Sequence, residues 1–181
     1  FCAMALPVLA QQKSPARQAT PDVAAQPRYA TVNLRADFSP DPHETRVEAG
    51  GDRQVQGLGN DCAGWIDYAR PDVDLNYQAG SLPLYISVVA QADTTLIIND
   101  PAGRWLCNDD MEGLNPGIII QRPASGNYNI WIGTVERGPA QAAGRDDVHG
   151  HAGGGRVPPD WHLGGHVLHV EEEVRRTGRE R

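Results

Sequence analysis

The stretch Ser81–Thr134, SLPLYISVVAQADTTLIINDPAGRWLCNDDMEGLNPGIIIQRPASGNYNIWIGT, decides the fold. Leu84, Ile86 and Val88 alternate through its first run. Leu96 and Ile98 do so in the next, with Thr95 and Ile97 on the opposite face. Trp105 and Cys107, then Ile118 and Ile120, then Tyr128, Ile130 and Ile132 continue the rhythm. A side-chain period of two in short runs marks strands with one face buried. Turn formers fill the gaps. Asp100-Pro101-Ala102-Gly103 places Pro where φ is already turn-like and Gly where a positive φ is tolerated, and Ala124-Ser125-Gly126-Asn127 repeats the device.

The same pattern runs upstream. Tyr29 to Ala36 alternates, Thr45 and Val47 alternate weakly, and Trp65 to Tyr68 reads as a short strand. Val73, Leu75 and Tyr77 alternate with Asp74 and Asn76, and Gln78-Ala79-Gly80-Ser81 turns the chain into the opening stretch. Many short strands with no convincing helix predict an all-β fold, an antiparallel β-sandwich or jelly roll, over 29–138.

The ends read differently. Residues 1–10 (FCAMALPVLA) form a short apolar run ending in small residues, as the back half of a secretory signal peptide does. Residues 11–28 are rich in Gln, Ala, Pro and Ser and read as a flexible leader. Residues 139–181 form an irregular tail rich in Gly, His and Arg. Within it Val167 to Arg176 reads as a short helix, with Arg175 and Arg176 near its end in line with the helix dipole.

A net charge of −7 argues against nucleic acid or an anionic membrane as the main partner. No run of the sequence is long and apolar enough to form a transmembrane segment. A periplasmic or secreted location is expected. If Cys2 leaves with the signal, Cys62 and Cys107 remain as a pair able to bridge in an oxidising compartment. Two free buried thiols are the alternative.

The order of pieces carries a family resemblance. An apolar strand is followed by Ala92-Asp93-Thr94-Thr95-Leu96-Ile97-Ile98, Asp100-Pro101-Ala102-Gly103, the Asp-rich turn Asn108-Asp109-Asp110, an Ile-rich strand, and Ala124 to Gly133. This resembles the bacterial pre-peptidase C-terminal domain, a β-sandwich found beside secreted peptidases. The paired cysteines, Cys62-Ala63-Gly64-Trp65 and Leu114-Asn115-Pro116 resemble its periplasmic variety. The resemblance implies a non-catalytic accessory or binding module, and it implies another strand after Thr134 to close a sheet. No alternating apolar run follows Gly138 directly. Two explanations stay open: the edge strand is lost, or the tail comes from an altered reading frame.

Three constellations bear on chemistry. Asp100, Asn108, Asp109 and Asp110, with Glu112 and Asn115 nearby, offer the crowded oxygens that calcium takes, though without EF-hand spacing. A solvated turn with side-chain-to-backbone hydrogen bonds is the competing reading. Trp65, Trp105 and Trp131 could stack on a sugar ring or a peptide, but Trp131 is out of phase with Ile130 and Ile132 and fits a second small cluster under a loop. The tail histidines His149, His151, His162, His166 and His169 lack the H-E-x-x-H pattern. No G-x-S-x-G or G-D-S-G-G motif is present, so no catalytic residue is assigned. The expected function is an exported accessory module for a protein or polysaccharide partner, with calcium as a candidate stabiliser. The alternatives are a secreted serine-peptidase-type hydrolase and a purely structural envelope domain.

Overall fold

The structure, a computed structural model, describes residues 20–137 and 166–172. The proposed signal remnant, most of the leader, and His149, His151 and His162 lie outside the described residues. Eleven strands follow in chain order: β1 (Ala30–Arg35), β2 (His43–Val47), β3 (Arg53–Gln54), β4 (Trp65–Ile66), β5 (Val73–Gln78), β6 (Leu84–Val89), β7 (Thr94–Asn99), β8 (Trp105–Asn108), β9 (Gly117–Ile120), β10 (Gly126–Thr134) and β11 (His166–Glu172). Among the described residues there is no helix. None is therefore long and apolar enough to cross a membrane.

The strands form two sheets. The seven-stranded sheet runs β1-β5-β10-β4-β3, with β7 on the other side of β10 and β8 beyond β7. The four-stranded sheet runs β2-β11-β6-β9. Every pair is antiparallel except β1–β5, which is parallel. Between the sheets lie Leu75, Tyr77, Leu96, Ile98, Ile130 and Ile132 from the first and Leu84, Ile86, Val88, Leu168 and Val170 from the second. These are the residues the alternation points inward. Each such buried aliphatic side chain contributes about 1.5–3 kcal/mol of apolar burial.

The tail corrects the sequence reading. Residues expected to begin a short helix form β11, which pairs His166–Val170 with β2 and Val167–Glu172 with β6. Leu168 and Val170 are buried in the core. Val-Leu-His-Val satisfies a period of two as well as a helical one, and two waiting strand edges decide between them. The second sheet therefore takes its internal strand from the very tail that seemed to lack one.

The leader is also tied down sooner than expected. Asp22 N–H donates to the Tyr68 carbonyl at 2.9 Å and Arg28 N–H to the Pro71 carbonyl at 2.8 Å.

Candidate binding face

The outward face of the seven-stranded sheet has two halves. Over one half the 53–70 segment folds back as a cover. Val55, Ile66 and Tyr68 pack on Ile97 and Trp131, with Leu58, Cys62, Trp105 and Cys107 around them. Cys62 and Cys107 are joined by a disulfide that clamps this cover to β8. Tyr68 holds it from within: its hydroxyl donates to the Gln54 carbonyl and accepts from Gln56 N–H, both at 3.1 Å. Trp131 is fully buried, and its indole N–H is shared between the carbonyls of Asp67 at 2.9 Å and Arg70 at 2.7 Å. It belongs to the second cluster that its phase predicts, and it has no face left to stack on a ligand.

The other two tryptophans are half-buried. The Arg137 guanidinium lies 5.3 Å from the ring centroid of Trp65. Trp105 tilts against Trp131 with centroids 5.5 Å apart, at the margin of the cover.

Beyond Trp105 the same face is polar. The register aligns Thr31, Asp74, Asn129, Asn99 and Trp105 across five strands, and Asn33, Asn76 and Asn127 across three. The amides are laddered. Asn127 Nδ2 donates to Asn76 Oδ1 at 3.0 Å, and Asn76 Nδ2 donates to Asn33 Oδ1 at 3.0 Å. In the next row Asn129 Nδ2 donates to Asp74 Oδ1 at 2.8 Å. Thr31, Asn33, Arg35, Asn76 and Gln78 are exposed. A primary amide has two N–H donors and two acceptor lone pairs. Asn76 spends one of each along the ladder and keeps one of each for solvent. Burial pushes the Asp74 carboxyl up, against the pull of the Asn129 bond. Asn and Asp at alternate positions are visible in the sequence, but their lateral alignment depends on pairings that it does not display.

The oxygen-rich set resolves into separate structural roles. Asp100 opens the β7–β8 turn: Oδ1 accepts from Ala102 and Arg104 N–H, each at 2.9 Å, and Oδ2 pairs with Arg104 Nε at 2.7 Å. Burial pushes the Asp100 carboxyl up, but these Arg104 and Ala102 bonds outweigh it and hold it below the usual range. Asn108 stands at the far end of β8, about 10 Å further along the strand, where its Oδ1 accepts from Gly117 N–H at 2.9 Å. Asp100 is therefore set at the opposite end of β8 from Asn108, Asp109 and Asp110. Among the described residues, no group of three or more His, Cys, Asp or Glu could hold a metal ion. Asp109 and Asp110 instead act on Asp93, whose carboxyl is raised by burial and then by Asp110, Asp109 and Glu136.

One row on the second sheet was not foreseen. Glu44, His169 and Ser87 lie directly opposite one another on β2, β11 and β6. His169 Nε2 is 3.7 Å from Glu44 Oε1, and burial holds the imidazole below its usual value despite Glu44. The order acid, histidine, serine is that of a hydrolase triad, but the setting is not. Ser87 is 7% exposed and lies in mid-strand, with β6 paired on both sides. Its neighbouring backbone N–H groups belong to the ladders, so the row lacks the free donors that an oxyanion needs. The other serine in question, Ser125, accepts from Ala79 N–H at 2.9 Å and serves a turn.

No model of a known protein family matches this chain, and no curated protein matches it.

Proposed function

We propose that this chain is a non-catalytic binding module of an exported protein, of the accessory kind that the pre-peptidase C-terminal resemblance implies. The observation that carries the reading is the divided outer face: one half sealed by a disulfide-clamped cover, the other left as an exposed, laddered amide surface. Ordering side chains on an exposed face costs rotamer freedom, and a partner that meets a preformed array avoids that cost on binding. The Cys62–Cys107 bridge supports an oxidising compartment, periplasmic or extracellular.

A second reading, a serine-type hydrolase, rests on the Glu44–His169–Ser87 row. Intact-mass analysis of the full chain after exposure to a fluorophosphonate separates the two. The binding-module reading expects no adduct. A phosphonyl adduct on Ser87 or Ser125, lost in the corresponding alanine variant, overturns it.

A further inference from the structure

We propose that the amide face of β1, β5 and β10 binds a neutral polysaccharide, laid across Asn33, Asn76 and Asn127 and bordered by Trp105. The inference deepens the binding-module reading and rests on it. Its basis is the chemistry that the face presents. The ladder bonds run in one sense, from Asn127 to Asn76 to Asn33, at 3.0 Å each. The amides are thereby fixed in orientation, and their remaining donors and acceptors repeat at the strand spacing of about 4.8 Å. Every sugar hydroxyl both donates and accepts, so a chain of sugars matches a surface that alternates the two functions. A purely cationic or anionic ligand uses only half of it.

Charge supports the same class. The protein carries a net charge of −7, yet the rows that join Thr31, Asn33 and Arg35 to their β5 and β10 partners carry just Asp74, bonded to Asn129, and Arg35 as ionisable groups. A polyanion meets a protein of the same sign and gains little from one arginine. A polycation finds one half-buried carboxylate. An uncharged polymer incurs neither penalty. Geometry argues against an extended peptide: such ligands add to a sheet edge through main-chain bonds, whereas the ladder occupies the face. Trp105, half-buried, supplies an aromatic surface where the five-strand row ends.

The test is affinity electrophoresis of the full oxidised chain in native gels cast with hydroxyethylcellulose, xyloglucan or arabinoxylan, with polygalacturonate and gelatin gels run beside them. The expected result is retardation by at least one neutral polysaccharide and none by polygalacturonate. Retardation should fall about tenfold in the double variant N33A/N76A and in N76D, which keeps the size of the side chain but removes its donor. The variant R46A, on the outer face of the other sheet, should bind as wild type. Circular dichroism melts confirm that each variant folds, since Asn33 and Asn76 are exposed.

Retardation that survives N33A/N76A overturns the proposal, as does a neutral-gel panel that leaves mobility unchanged. Retardation by gelatin alone, lost in N33A/N76A, overturns the glycan assignment but keeps the binding module. Size-exclusion evidence that the amide face instead joins two copies of this chain, with N33A/N76A restoring the monomer, also overturns it.

Discussion

Asp72 carries a carboxylate into the place where β5 leaves β10. Its Oδ2 accepts from Ile132 N–H at 2.8 Å, so a side chain continues the ladder after the strand partner ends. It is 1% exposed, and Oδ1 has no hydrogen-bond partner among the described residues. Burial pushes its pKa from 3.8 to about 7, against the Ile132 bond and Arg28. A carboxyl whose folded value lies above its unfolded one stabilises fully below the unfolded value, and that contribution is lost as pH rises through the folded one. Asp72→Asn keeps an acceptor for Ile132 and removes the titration. Urea melts at pH 4.5 and pH 8 should therefore show the variant gaining on wild type by about 2–4 kcal/mol over the interval. A constant difference at both pH values would mean that Asp72 is not a buried charge. The sequence displayed an Asp before an alternating run and no more. Its burial goes with a bond to the Ile132 N–H, 60 residues downstream.

Elements were legible where strands are short, alternating and bounded by turn formers, which is why β5 to β10 stand close to where the pattern puts them. They were illegible where the deciding partner is remote. β11 has five residues, His166–Val170, before Glu171-Glu172-Glu173, and nothing local separates strand from helix. The parallel β1–β5 pairing is also a long-range outcome. Leu168→Asp tests β11 directly. On an exposed helix the change would cost little; at a core position of the second sheet it should cost several kcal/mol and abolish a cooperative melt, whereas Arg46→Ala on the exposed side of β2 should leave the melt intact. The disulfide makes the matching point for the cover. It closes a loop with a sequence separation of 45, and removing it as C62S/C107S should cost about 3–4 kcal/mol by loop entropy. Because the bridge holds the 53–70 segment and not the core between the sheets, the variant should also expose Trp131. A red shift of tryptophan emission below the melting transition checks this.

At the scale of the molecule, one sheet serves both structure and recognition by dividing its outer face, and the boundary falls at Trp105. Trp65, Trp105 and Trp131 were legible as a group with one member out of phase. Their separate fates, under Arg137, at the border and inside the cover, depend on the fold. The same whole-molecule view fixes how stability responds to pH. Asp72, Asp74 and Asp93 are all raised, with burial the leading cause in each, so each contributes stability that is lost as pH rises. His169 is lowered, by burial against the pull of Glu44; its contribution is lost as pH falls through the ordinary histidine range. Asp100 is lowered on balance and matters only in stronger acid. Between pH 8 and pH 5.5 the three carboxylates and His169 thus act in opposite directions. Asp72 decides the sum, because it has the one large shift, to about 7, and the deepest burial. The melting temperature should therefore rise on mild acidification, and most of that rise should vanish in Asp72→Asn. A fall instead would mean that charging His169, between β2 and β6 in the second sheet, outweighs relief at Asp72, and His169→Gln should then remove it.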